Sequence, residues 1–329
     1  MHDLAGRSVL IAGGGGFLGT NLALRLLAMG AKLRVTIHDK PLKTELPGAE
    51  IMKVDLRRPE DCARAVAGMD YVFIAAAQTA GAAVMRANPL SQVTPNVLIN
   101  TLLLEAAYVA GVRRVLFISS GAAYPPTGDR AVSEGEMFDG EPYDAYYSVA
   151  WMKRYAELLC RTYATKIAKP MSTVVVRPSN IYGPHDKFDY ATSHVTAALM
   201  RRVIERLAPL DVWGTGNDVR DLIYIDDFID GLLAAFSTDQ QHLEINICSG
   251  KGHSVRQILE TLLEVDGYSG ADVRYDPTKP STIPVRLMDN SAARRLLGFE
   301  AKIGLAEGFR RTMKWYRSQP HPPGAAQPT

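Results

Sequence analysis

The segment Val9-Leu-Ile-Ala-Gly13-Gly-Gly-Gly16-Phe-Leu-Gly19 spaces glycines as G-x-x-G-x-x-G directly after an apolar run. That spacing suits close contact between backbone and phosphate. Gly13 permits a tight turn, Gly16 lets backbone amides approach a pyrophosphate, and Gly19 allows a helix to pack closely on a strand. A helix starting near Phe17 and Leu18 would set its positive end against the anion. The chemistry indicated is binding of a nicotinamide dinucleotide. After the second apolar run come His38, Asp39 and Lys40. A carboxylate there would accept from the adenosine ribose hydroxyls and favour NAD, whereas basic groups would accommodate the 2′-phosphate of NADP. Both kinds are present, so NAD and NADP stay open. Asp55 and Leu56, after the third run, are placed to meet the adenine edge, unless Asp55 serves only to cap the helix starting at Pro59.

These residues need a frame of alternating strands and helices. Short runs rich in Val and Ile at 8–12, 33–37, 51–53, 71–75, 115–119 and 173–177 read as strands buried on both faces. Amphipathic stretches at 18–29, 59–67, 96–110 and 145–164 read as the helices between them. The alternation predicts an α/β fold, a Rossmann-type doubly wound parallel sheet with right-handed crossovers. After Pro178 the rhythm changes, with strands at 211–213, 222–225, 244–247 and 273–276 and helices at 193–206, 226–236, 254–264, 291–297 and 303–317. The expected organisation is an NAD(P)-binding domain over residues 1–178, a smaller C-terminal α/β substrate-binding region over 179–318, and a Pro-rich disordered tail over 319–329.

With 329 residues, 47% of them apolar, the chain can bury a large core, and its net charge of +2 with interspersed signs excludes the basic stripe of a nucleic-acid binder. Cys62, Cys160 and Cys248 lie far apart, which suggests neither zinc nor disulfides and leaves them as small core residues. No apolar run approaches the roughly 20 residues of a membrane helix. The first residues do not form a secretory signal, so the cytoplasm is the expected location.

The glycine loop resembles that of the extended short-chain dehydrogenase/reductases, the NAD-dependent epimerase/dehydratase group that acts on sugar nucleotides. The resemblance continues through Ala75-Ala76-Ala77, Asn96, Ser119-Ser120-Gly-Ala-Ala-Tyr124, Arg177-Pro-Ser-Asn-Ile-Tyr-Gly-Pro184, Trp213-Gly-Thr-Gly216 and Arg220-Asp-Leu-Ile-Tyr-Ile-Asp-Asp227. Asn180-Ile-Tyr-Gly-Pro-His-Asp-Lys-Phe188 with Ser193-His194, and Asp276-Pro-Thr-Lys-Pro280 with Pro284 and Arg286, are similar to the GDP-L-fucose synthase branch. The resemblance implies that a Ser, a Tyr and a Lys carry the redox chemistry. Ser120 matches the Ser and Lys153 the Lys, but four residues before Lys153 stands Val149, which transfers no proton. Of the Cys and His that epimerise the sugar in the branch, His194 matches the His, while the Cys position is Ala122.

Three readings follow. Tyr146, three residues before Val149 on the predicted helix, shares the face of Val149 and Lys153 and takes over the proton. Alternatively the substrate, a water or His194 carries it. In the third reading the chain binds cofactor and nucleotide sugar as a non-catalytic sensor. The resemblance further implies that Arg220 and Arg286 clamp the sugar nucleotide's diphosphate with their forked guanidiniums, that Asn180 bonds a sugar hydroxyl or phosphate, and that a four-helix contact makes a homodimer. The pair Asp226 and Asp227 is read as a cap for a helix beginning at Phe228, with no metal required.

Overall fold

The computed structural model describes residues 4–79, 88–190, 193–279 and 283–319. Pro280 and the tail residues 320–329 lie outside them. The strands are β1 (Ser8–Ala12), β2 (Lys32–Ile37), β3 (Glu50–Lys53), β4 (Tyr71–Ile74), β5 (Arg114–Ile118), β6 (Ser172–Pro178), β7 (Asn180–Tyr182), β8 (Leu210–Trp213), β9 (Val219–Tyr224), β10 (His242–Ile247), β11 (Gly252–Ser254), β12 (Val273–Asp276) and β13 (Val285–Arg286). The helices are α1 (Phe17–Ala28), α2 (Pro59–Val66), α3 (Leu90–Val109), α4 (Tyr147–Thr165), α5 (Val195–Ile204), α6 (Ile225–Phe236), α7 (Val255–Asp266), α8 (Ser291–Leu297) and α9 (Leu305–Ser318).

Seven strands form one parallel sheet in the order β10-β6-β5-β4-β1-β2-β3. The inner apolar runs lack polar alternation because both faces are covered, whereas β3, expected to be buried on both faces, is an edge strand and largely exposed. Along β1, Val9 and Ile11 pack with Leu22 and Leu26 of α1 on one face, and Leu10 and Ala12 pack with Cys62, Leu103 and Ala107 on the other. β1 lies between β2 and β4, so the chain departs from β1 and from β4 in opposite directions. The crevice above these two strand ends is where an open α/β sheet binds ligands. The seventh strand, β10, returns to this sheet from beyond residue 178. Helix α3 starts six residues before the expected Asn96 and carries Pro95 inside it, a residue that ordinarily stops such a pattern.

The rest of the chain builds on β9, which pairs with β11 in antiparallel fashion and with β7 and β13 in parallel, while β8 pairs with β12. Helix α6 begins at Ile225, with Tyr224 at its cap, so Asp226 and Asp227 stand in the first turn and do not cap a helix at Phe228. Asp227 Oδ2 instead accepts from the amides of Lys302 and Ile303 at 3.0 and 2.8 Å, tying the segment before α9 to α6. The three cysteines are buried. Among the described residues no helix is long and apolar enough to cross a membrane.

Candidate active site

The glycine loop leaves β1 and meets the loop after β4 backbone to backbone. Gly13 has φ +92°, and a Cβ there would stand 2.5 Å from Ala76 Cα. A Cβ on Gly19 would lie 2.2 Å from the Gly13 carbonyl oxygen, so helix and loop touch with no room for a side chain. The amides of Gly13 and Gly14 are pinned to Thr36 of β2 at 3.0 and 2.9 Å. Gly16 is the N-cap of α1 and no side chain caps that helix. The amides of the first turn, around Phe17 and Leu18, are therefore available to an anion, and the cradle fits the pyrophosphate of a dinucleotide.

At the ribose end, Asp39 lies 2.8 Å from His38 Nδ1. Asp55 accepts from both Nε and Nη2 of Arg57 at 2.7 Å, and that hydrogen bonding holds its carboxyl down at about 2. Asp55 caps nothing, since the N-cap of α2 is Arg58. Leu56 is buried. Ala75 and Ala76 are half-buried and Ala77 is exposed. Asn96 fixes the loop that follows by bonding both the amide and the carbonyl of Gln78, at 2.8 and 2.9 Å.

The structure brings Lys153 to the end of β5, from which Ser120 departs. Lys153 Nζ donates to the Ile118 carbonyl at 2.8 Å and sits 4.7 Å from the centre of the Phe117 ring. Burial pulls this ammonium down to about 8, against the opposing charge of Glu157. Ser120 Oγ accepts from the Ala122 amide at 3.1 Å, which leaves its own hydrogen to donate. Tyr146 departs from expectation. It ends a three-residue 3₁₀ turn, Asp144–Tyr146, and is the N-cap of α4. It is thus outside the α-helical stripe that carries Val149 and Lys153, because the tighter 3₁₀ turn breaks the 3.6-residue period. Its phenol, like that of Tyr143, lies within electrostatic reach of Arg286.

Arg286 and Arg220 are register partners on β13 and β9. Arg286 is buried and donates to the carbonyls of Tyr124 and Pro125, both at 3.1 Å, while its Nε has no partner. Arg220 donates to Asp218 at 3.2 Å. Asn180 opens β7 alongside Leu222 of β9. His194 is the N-cap of α5, yet its side chain makes no cap bond. Its side chain is exposed to solvent although protein stands around it. Burial and then Lys187 pull its imidazole below the usual range. Among the described residues, no hydrogen bond joins His194 to Ser120 or Lys153.

Beneath the site runs a buried charge network absent from the sequence reading. Arg177, fully buried at the end of β6, donates to Glu157 at 2.7 Å and to Glu244 of β10 at 2.9 Å. Ser119, beside Ser120, donates a short hydrogen bond to Glu157. Tyr124, which ends the Ser120 loop, accepts from Arg177 at 3.0 Å and donates to Asn246 at 2.7 Å. A lone arginine ending an apolar strand, with a glutamate one turn beyond Lys153, was the available signal. Arg177→Met removes the guanidinium bonded to buried Glu157 and should cost roughly 3–5 kcal/mol in urea unfolding. A loss below about 1 kcal/mol would show the network to be dispensable.

A family model described as the NAD dependent epimerase/dehydratase family matches residues 9–248. The chain belongs to that family. Within it, the chain is 30% identical over 321 residues to the probable GDP-L-fucose synthase 1 of Oryza sativa subsp. japonica, covering 94% of this chain and 92% of that protein. Its fold is similar to the UDP-glucose 4-epimerase of Thermotoga maritima with UDP-glucose, with a TM-score of 0.83 and 26% identity, covering 94% and 98% of the two chains. It is also similar to the Thermus thermophilus UDP-glucose 4-epimerase in complex with NAD, with a TM-score of 0.81 and 28% identity, covering 94% and 99%.

Proposed function

We propose that this family member is an NAD- or NADP-dependent enzyme that reduces or epimerises a nucleotide-linked sugar through a 4-keto intermediate. The observation carrying the reading is Lys153, a desolvated ammonium held beside the Ser120 loop with one backbone acceptor. A charged group kept at such a position despite its desolvation is a mark of chemistry. A reduced nicotinamide dinucleotide held at the glycine loop would supply the hydride to the sugar carbon. Ser120 donates to the carbonyl oxygen and orients it. Lys153 stabilises the charge that develops there and favours the ionised form of a nearby phenol. With Val149 at the usual tyrosine position, the proton reaches that oxygen from Tyr146, a water, the substrate or His194, and Tyr146 is the first of these to test. His194, whose imidazole is pulled below its usual range, removes the proton from the carbon next to the carbonyl. Arg220 and Arg286 hold the diphosphate, and Asn180 a sugar hydroxyl or phosphate.

A GDP-linked sugar is the first substrate to test, because the rice relative bears a GDP-L-fucose synthase name. Tyr146→Phe and Ser120→Ala should each lower kcat by about 10²-fold or more. If Tyr146→Phe keeps full turnover, a water, the substrate or His194 delivers the proton. Unchanged turnover in Ser120→Ala as well would remove the redox reading. The second reading, a non-catalytic sensor, is favoured by Val149 and Ala122 and predicts tight ligand binding without product.

We also propose a homodimer through α3 and α4. Leu98, Trp151, Tyr155 and Leu158 of these neighbouring helices are exposed, a concentration of apolar surface that a second copy would cover. A monomer mass in light scattering at micromolar concentration would refute it. Cytoplasmic location remains part of the same reading.

A further inference from the structure

The loop that carries Ser120 is tied at both ends to one buried ion pair. At its start, the Ser119 hydroxyl donates to Glu157. At its end, the Tyr124 hydroxyl accepts from Arg177 at 3.0 Å. Glu157 and Arg177 are joined to each other. Arg177 Nε donates to both carboxylate oxygens at 3.2 Å, and Nη2 donates to one of them at 2.7 Å. Both side chains are fully buried, and Ser119 is buried with them. An apolar filling would be cheaper here, because each of the two charges must give up its water. Stability alone is therefore a weak reason for an ion pair at this place.

Glu157 also faces Lys153. The two stand four residues apart on α4 and so share a face. Lys153 does not pair with Glu157 directly but donates to the Ile118 carbonyl at 2.8 Å. Three consecutive residues at the end of β5 thus have three tasks. The Ile118 carbonyl takes the ammonium, the Ser119 hydroxyl takes the carboxylate, and Ser120 presents the hydroxyl assigned to the sugar. The other charges around Glu157 are Arg177 of β6 and Glu244 of β10, and Glu244 is bonded in turn to Arg161 and His242. Among all of these, Glu157 is the one whose charge opposes the effect of burial on Lys153. The Ser119 amide is held separately, by the Val176 carbonyl at 2.8 Å, so the sheet edge does not depend on the hydroxyl.

We propose that Glu157 and Ser119 are positioning residues: Glu157 is the counter-charge that keeps Lys153 an ammonium at the end of β5, and the Ser119 hydroxyl locks that carboxylate to the strand end from which Ser120 reaches the substrate. The inference rests on the reading of Ser120 and Lys153 given above. Neither Glu157 nor Ser119 touches the sugar. Each acts through a neighbour, so their loss should appear in turnover and in the titration of Lys153, not in ligand affinity.

The test uses the full chain carrying Glu157→Gln, Ser119→Ala or Ser119→Thr. Lysine labelled with carbon-13 at Cε follows the titration of Lys153 by NMR, its signal identified by its absence from Lys153→Met. Glutamine has the shape of glutamate and still accepts from Ser119 and Arg177, so Glu157→Gln changes chiefly the charge. The Lys153 midpoint should fall by about one pH unit in that variant, and the alkaline limb of kcat should fall with it. The KM for the sugar and the Kd for the dinucleotide should stay within about twofold. Ser119→Ala leaves the ion pair whole and should lower kcat about tenfold to a hundredfold at unchanged KM, while Ser119→Thr, which restores the hydroxyl, recovers most of the loss. A Lys153 midpoint unmoved by Glu157→Gln, or full kcat in Ser119→Ala, overturns the proposal. Matching thermal unfolding excludes misfolding, and should Glu157→Gln fail to fold, Ser119→Ala decides. If the natural protein converts no sugar, the proposed reaction falls, and the NMR titration alone decides whether Glu157 governs Lys153.

Discussion

Lys153→Met should abolish most turnover while leaving the fold intact or slightly firmer. Lys153 is desolvated, lies against the Phe117 ring and has the Ile118 carbonyl as its hydrogen-bond acceptor. An uncharged side chain of similar length is accommodated there more cheaply than an ammonium. The catalytic loss should be about 10²- to 10⁴-fold in kcat, the usual worth of a positioned acid–base group. The pH dependence follows from the direction of the shift. Lys153 works as the cation and its folded pKa is lowered to about 8, so activity falls as pH rises through about 8. Stability runs the other way. Between about 8 and 10.5 the unfolded chain binds more protons at this site than the folded one, so this site contributes stability that rises with pH across that window. The methionine variant should lose that rise. Full activity in Lys153→Met, or an alkaline limb unmoved from the ordinary lysine range, would contradict the assignment.

Gly13→Ala should cost both stability and cofactor. The position has φ +92°, which a side chain disfavours, and the new Cβ would meet Ala76 Cα at 2.5 Å, backbone against backbone with nothing flexible to move. Strain and overpacking each cost about 1–3 kcal/mol, so a total of roughly 2–6 kcal/mol is expected. That is a large part of the roughly 5–15 kcal/mol typical of a folded domain. Because the clash separates the β1 and β4 loops, dinucleotide affinity should collapse even where the protein still folds. Gly128→Ala serves as the comparison. It also has a positive φ, at +61°, but nothing stands within 4 Å of its Cβ, so only conformational strain should appear. Equal losses in the two variants would show that close packing at the crevice is unimportant.

The parts written in local pattern were legible in the sequence. The strand runs, the glycine spacing and the start of α1 at Phe17 follow from apolar periodicity and from steric needs of single residues. The resemblance likewise puts Lys153 by the end of β5, where the Ser120 loop begins. What escaped depends on contacts between distant segments. Tyr146 reads as helical by spacing, but α4 starts at Tyr147 and the residues before it wind as a 3₁₀ turn. Asp226 and Asp227 look like a cap because both types favour helix starts, whereas α6 extends back to Ile225 and Asp227 is used by Lys302 and Ile303. The ion network of Glu157, Arg177 and Glu244 needs α4, β6 and β10 to be neighbours, and no local pattern announces that β10 joins the central sheet.

The most direct test of the central claim is a mass spectrum of GDP-4-keto-6-deoxymannose incubated with the protein in D₂O, with NADPH or NADH supplied. The account predicts a mass gain matching hydride delivery, carbon-bound deuterium above a control without protein, or both, with each signal lost in Lys153→Met or in His194→Asn, respectively. A spectrum unchanged for this sugar and for a panel of other nucleotide-linked 4-keto sugars, from a protein that still binds the dinucleotide, would contradict it and leave the sensor reading in its place.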